Sequence, residues 1–317
     1  MQIRMQRRRT ETGGRHSQGG KQMANRVTNA GYVKWPTFEE IKEMFKEHFI
    51  MDRREDGVVT VRMHCKGGPL IWSMELHDAI GKMWRLLGTD RSTEMIIFTG
   101  TGNIWVTDFE AASWAPEGDN AGETRYNHMF VDGRRMIITM IQDTEVPTLG
   151  VLSGSGGHIE LACMCDFCIA ADDIVVLDPH MLPGTNNVPG DGIQSCFMEL
   201  MPTRQAVWYL MTGDKMTAQQ ALQYGLVSEI VPREKLMDRA YEIADLLMSQ
   251  NRIARRLATQ VVRRPWKKRI VDDLDCAFGT EMFGMFCAEE LHSELLSMIE
   301  YLGLKDKIEP PLVGKIR

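Results

Sequence analysis

The 317-residue chain has no run of about 18 apolar residues, so no membrane-spanning helix is expected. It has no excess of positive charge either. Lys and Arg number 37 against 43 Asp and Glu, a net charge of -6, which gives the molecule no general pull towards nucleic acid or an anionic membrane. No internal repeat is present, and the N-terminus lacks the apolar core of a secretory signal. The cysteines number seven and leave one unpaired. Cys163, Cys165 and Cys168 crowd one stretch, but no second pair with metal-ligand spacing accompanies them, so no metal site is expected. Buried free thiols in a reducing cytoplasm are the expectation.

What is present is ordinary globular composition, 44% hydrophobic and 25% charged, at a length that buries a substantial core. Residues 1–26 differ from the rest. Arg4, Arg7, Arg8, Arg9, Arg15, Lys21 and Arg26 face one acid, Glu11, and glycine pairs interrupt the stretch. This is the composition of a disordered basic tail, with a nucleic-acid arm or transit peptide as alternatives and Met23 as the expected start.

From residue 35 the pattern becomes periodic. Residues 35–49 have the spacing of a short amphipathic helix, with Thr37 as N-cap. Asp56-Gly57 followed by VVTVRM predicts a hairpin and an alternating strand. Helical spacing runs from Leu76 to Leu87, and a long helix is expected over residues 122–143. EMIIFTG at 94–100 and TLGVLSG at 148–154 are short apolar runs closed by glycine, the mark of buried strands. A helix is expected from about His158, then strands at FCIAADD and IVVLD. Beyond residue 214 the chain reads as mostly helical, interrupted by a strand at LVSEIVP. Such alternation predicts an α/β fold with a largely parallel sheet.

Four blocks stand in an order and spacing that resemble the crotonase (enoyl-CoA hydratase/isomerase) superfamily over about residues 50–290: MIIFTGTG, EVPTLGVLSGSGGHIELACMCDFCIAAD, LPGTNNVPGDG and LMTGDKMTAQQALQYGLVSEIVP. The resemblance implies a ββα spiral core over 27–250 and a helical region over 251–317 that caps the active site and joins subunits as a homotrimer or dimer of trimers. It also implies an oxyanion hole, with the backbone N–H of Gly157 as one donor ahead of a helix N-terminus. One segment departs from the acyl-CoA pattern. Where those members carry F-x-A-G-A-D, this chain has Trp105-Val106-Thr107-Asp108-Phe109-Glu110. A bulky acidic segment should not welcome a thioester and its CoA arm, so neither CoA nor another cofactor is expected.

The departures resemble the 6-oxocamphor hydrolase-like β-diketone hydrolases, which work without CoA. GPLIWSMELHDAI carries Trp72 and His77, GGHIE carries His158, DPHMLPGTNNVPGDG carries His180 and Asp191, and FGTEM carries Glu281. The implied reaction is retro-Claisen hydrolysis, in which water adds to one ketone and the second carbonyl accepts the electrons of the broken carbon–carbon bond. His180 can serve as base near neutral pH, with Asp191 orienting it. His158 is assigned as a donor to substrate or enolate and Glu281 to positioning the water. Trp72, His77 and Thr107 are assigned as substrate contacts, the indole N–H of Trp72 being a donor. Taken alone, these residues also have plain readings: Asp191 lies in the turn Pro-Gly-Asp-Gly, His180 follows Pro179 in a loop, and Glu281 and His77 fit helix surfaces. Glu160 matches a catalytic glutamate of the hydratases and supports the alternative, an acyl-CoA hydratase or isomerase; bracing of the helix is the preferred reading. Met129, Met136 and Met140 are expected as adaptable lining or core.

Overall fold

The computed structural model describes residues 33–110, 113, 120–182, 185, 187–287 and 302–303, without the side chains of Thr107 and Phe286. The chain divides into two units, Met1–Trp35 and Pro36–Arg317. The basic tail of residues 1–26 lies outside the described residues.

A six-stranded sheet organises the second unit. Its strands are β1 (Phe49–Arg53), β2 (Val58–Met63), β4 (Met95–Thr99), β6 (Thr148–Leu152), β7 (Phe167–Ala171) and β10 (Glu229–Val231), in that spatial order. The hairpin expected at Asp56-Gly57 joins β1 to β2 antiparallel, and every later neighbour pairs in parallel. Two small sheets flank it: β3 (Leu70–Trp72) with β5 (Val106–Phe109), and β8 (Val175–Val176) with β9 (Met216–Thr217).

The core lies on both faces of the main sheet. For that reason β2 does not alternate in and out as its sequence suggests: five of its six residues are buried. Its Thr60 hydroxyl stands 3.2 Å from that of Tyr241, on the covering helix Leu236–Met248. β4 and β6 are buried at every position, as their apolar runs predict. Helix α1 (Phe38–Met44) opens on a capping box between Thr37 and Glu40. Helix α2 (Met74–Thr89) packs on a long helix, α3, that runs through residues 121–143. Within α3 the segments Arg125–Val131 and Thr139–Asp143 widen into π-type turns. A single short turn of helix, α4 (Glu160–Cys163), follows β6 and begins two residues later than expected. The C-terminal half supplies α5 (Ile193–Leu200), α6 (Thr203–Thr212), α7 (Ala218–Tyr224), α8 (Leu236–Met248), α9 (Arg252–Val262) and α10 (Arg264–Cys287).

Two buried ion pairs fasten the C-terminal helices to the sheet. Glu94, just before β4, is 1% exposed and meets Arg255 at 2.8 Å and Arg252 at 2.7 Å, both from α9. Arg263, at the α9–α10 junction, grips both oxygens of Asp166 and the carbonyls of Thr144 and Val146. A carboxylate removed from such a site strands a buried cation. Glu94→Ala is therefore expected to destabilise the fold by about 3–5 kcal/mol. Urea unfolding of the two proteins measures this, and a midpoint unchanged from wild type would contradict it.

Candidate active site

The site collects at the ends of β3, β5, β6 and β8, under the N-terminus of α5 and beside α10. Trp72 ends β3, which pairs with β5 and places Phe109 opposite it. His77 lies in the first turns of α2 and is buried. Its Nδ1 is 3.1 Å from the carbonyl oxygen of His128, which can only accept, so the hydrogen sits on Nδ1. Burial then pushes its pKa down to about 4 and keeps it neutral.

The glycine-rich turn after β6 carries Gly157 and His158. It must lie against the β5 strand: a Cβ on Gly156, at φ 149°, would stand 2.7 Å from the backbone of Val106. His158 itself has φ 53°, a left-handed conformation that few side chains adopt. Two contacts hold it there. The indole Nε1–H of Trp105 donates to the His158 carbonyl at 3.0 Å, and the Trp72 ring stacks on the imidazole at 3.7 Å between centroids, 12° from parallel. The His158 Nδ1 is 3.0 Å from Glu160 Oε1 and 3.3 Å from Asp191 Oδ2.

His180 follows β8. Two residues before it in the chain, Asp178 Oδ1 meets His180 Nδ1 at 2.6 Å. This changes the sequence reading, which gave Asp191 the orienting role. Asp191 Oδ2 instead lies 3.7 Å from the other nitrogen, Nε2, and Glu281 Oε1 lies 3.6 Å from that same atom. Asp191 is placed by its turn: its Oδ1 accepts from the N–H of Ile193, the first residue of α5. Glu281 reaches in from α10 and accepts from the Gly190 N–H and the Asn187 amide, each at 3.2 Å.

These side chains surround a cavity of about 90 Å³. One water needs roughly 10–15 Å³ of such space, so there is room for a small molecule with a water beside it. Its apolar lining is made of Trp72, Phe109, Met129, Phe278, Met282 and Met285, and its polar lining of His77, His158, His180, Asn187, Asp191 and Glu281. Thus the expected residues Trp72, His77, His158, His180, Asp191 and Glu281 share one cavity. Gly157 lies buried in the adjoining turn, and the Thr107 side chain lies outside the described residues. Met136 and Met140 are core rather than lining. Sequence reading missed Asp178, Asn187 and Trp105. The i, i+2 spacing of Asp178 and His180 was a usable signal; nothing local marks Asn187, whose partner is 94 residues away.

The electrostatics are those of charges held out of water. Burial lowers the His180 pKa, but Asp178 and Asp191 outweigh it and leave it well above the usual value. Burial lowers His158 as well, and Glu160 reverses the direction to a net rise. Burial raises Asp191, yet His180 and His158 bring it below the ordinary range. Burial raises Glu281 to about 7, against the opposing effect of His180. The balance therefore favours the imidazolium form of His180. The donor atoms of His158, Glu160 and Asp191, and of His180, Asp191 and Glu281, lie within 4.8 Å of one another, a spacing that could hold a divalent cation. Without an ion the same contacts are ion pairs between the imidazoles and the carboxylates.

A sequence profile of the enoyl-CoA hydratase/isomerase family matches residues 56–303. Among solved structures, the chain is similar to a β-diketone hydrolase from the cyanobacterium Anabaena sp. PCC 7120 with bound (S)-3-oxocyclohexyl acetic acid. They share 26% identity and a TM-score of 0.70, over 80% of this chain and 98% of the other. Among curated proteins it is similar to a hydroxycinnamoyl-CoA hydratase-lyase of Pseudomonas fluorescens, 24% identical over 66% of this chain and 76% of the relative. It is also similar to a carnitinyl-CoA dehydratase of Citrobacter koseri, 30% identical over 55% of this chain and 65% of the relative.

The Asp178 contact is open to a direct test. An opposite charge in hydrogen-bond contact shifts a pKa by about 1–3 units, so Asp178→Asn should lower the His180 pKa by that amount. Ring-nitrogen NMR titration reads it, and an unmoved His180 would contradict the assignment.

Proposed function

The chain belongs to the enoyl-CoA hydratase/isomerase family, and from that premise we propose that it is a CoA-independent hydrolase that opens a β-diketone, cyclic for preference, to a keto acid. The observation that carries this reading is what faces the cavity. Three imidazoles, Asp191 and Glu281 do, while Glu160 is absent from the lining and stands behind His158. A hydratase that used the family-matching Glu160 on its water would need that side chain in front. The likeness to the Anabaena β-diketone hydrolase supports the same choice.

In the proposed reaction, water lies between His180 Nε2 and Glu281 and attacks one carbonyl carbon as neutral His180 takes its proton. The oxyanion is received by the Gly157 N–H and by His158. The carbon–carbon bond then breaks, its electron pair passes into the enolate of the second carbonyl, and the imidazolium returns a proton to carbon. Asp178 fixes the His180 tautomer, and Asp191 offsets the charge that develops between the two histidines. Trp72 and the apolar lining receive the ring. No cofactor enters, because the second carbonyl is the electron sink.

The same proposal includes a homotrimer or dimer of trimers in the cytoplasm. Trp208 and Met211 on α6 and Leu257 and Val261 on α9 are more than half exposed, and an assembly would cover them. No helix among the described residues is long and apolar enough to cross a membrane.

The second reading, an acyl-CoA hydratase, is favoured by the curated relatives. Saturable acyl-CoA binding in calorimetry, with no turnover of cyclic 1,3-diketones, would select it. On the hydrolase reading, diketone turnover yields keto acid, and His180→Ala or Asp191→Asn lowers kcat by about 10²–10⁴-fold. Full turnover by either variant would remove the pair from the mechanism. The pH profile follows from the sign of the His180 shift. The base must be neutral and its pKa is raised, so kcat/KM should climb with pH through an acid limb well above the ordinary histidine value of about 6.5.

A further inference from the structure

Glu160 is buried, 1% exposed, and does not line the cavity. One oxygen, Oε1, meets His158 Nδ1 at 3.0 Å; the other, Oε2, is buried with no hydrogen-bond partner. A buried carboxylate oxygen left without a partner is destabilising, so this side chain is a poor brace for a helix of one turn. The position of His158 carries a second cost, its left-handed backbone, and the result is to aim one ring nitrogen at two carboxylates.

The tautomer follows from that geometry. An Nδ1 shared between Glu160 and Asp191 carries the hydrogen. The nitrogen left for the cavity is Nε2, and in a neutral ring it has only a lone pair. A lone pair repels an oxyanion. His158 can donate to developing negative charge only when the ring holds both protons.

Building on the hydrolase reading, we propose that Glu160 is a positioning residue that acts through His158, holding the imidazole cationic and Nδ1-bound so that its Nε2–H is the oxyanion donor. The glutamate thus serves a charged donor and does not touch substrate. The other charged or titratable groups facing His158 are Asp191 before α5, His180 after β8, His77 on α2 and Glu281 on α10. Asp191 supports the cation and His180 opposes it. The flat indole of Trp72 adds a cation–π face.

Glu160→Gln keeps the shape and removes the charge. The test uses the full chain labelled with ¹⁵N-histidine, followed by ring NMR across pH, with diketone kinetics over the same range. In the wild type His158 should be cationic at neutral pH. In E160Q its pKa should fall by about one unit or more, and an alkaline limb of kcat should move towards acid by the same amount. At alkaline pH kcat should drop by about tenfold or more with KM changed less than about threefold, since the lost interaction belongs to the transition state. Glu160→Asp should recover part of both effects. An unmoved His158 titration in E160Q, or a uniform fall in kcat with the limb in place, overturns the proposal. Should E160Q fail to fold by circular dichroism, the wild-type and E160D titrations decide, and a neutral wild-type His158 at neutral pH overturns it. Absence of diketone turnover by the wild type would defeat the hydrolase reading, while the NMR outcome would still decide the role of Glu160 on His158.

Discussion

Asp191 Oδ2 stands 3.3 Å from one imidazole and 3.7 Å from another, and the chemistry of the cavity depends on that shared charge. Two buried cationic rings repel each other, and that charge opposes the repulsion beside the larger effects of Asp178 and Glu160. Placed between them, the carboxylate raises the proton affinity of both rings, and they in turn hold its own pKa down. The arrangement is costly to bury and has little value to the fold as such. It persists because four separate elements converge on it: the turn after β6, the segment after β8, the N-terminus of α5, and α10 with Glu281. Each histidine then has a carboxylate behind it, Asp178 for His180 and Glu160 for His158, neither of which lines the cavity.

The main sheet, the glycine-rich turn and the helix after it form the frame of the site. Function lies in what stands in front of that frame. Here an imidazole occupies the approach to Glu160, and the bulky β5 segment is bound into the site: Trp105 holds the His158 carbonyl and Phe109 stands edge-on to its ring. The segment that departs from the acyl-CoA pattern is thus part of the support for the histidine.

Much of this was legible in the sequence, for identifiable reasons. β4 and β6 are continuous apolar runs closed by glycine, and strands buried on both faces have no other local signature. The same logic misjudged β2, whose alternation of Thr60 and Arg62 with valine suggested one wet face; the covering helix that buries Thr60 lies 181 residues away. The side chains of the cavity were named from a family resemblance, and their company was the signal. Their partners were harder. Asp191 was assigned to orient His180 from the family resemblance, against its plain reading as a turn residue, whereas the fold gives that place to Asp178, two residues before the histidine. Asn187 and Gly190 meet Glu281 only because α10 folds back across the site, and sequence spacing carries no trace of that.

The apolar lining has a consequence of its own. Met129, Met282 and Met285 place three thioethers on the surface that would receive the substrate. A thioether adapts its shape to an uneven ring, but an oxidant converts it to a polar, chiral sulfoxide. The part of the lining best able to adapt its shape is thus also the part that oxidation would alter. Oxidation there would change the shape and polarity of the cavity, and a sulfoxide reductase would reverse it.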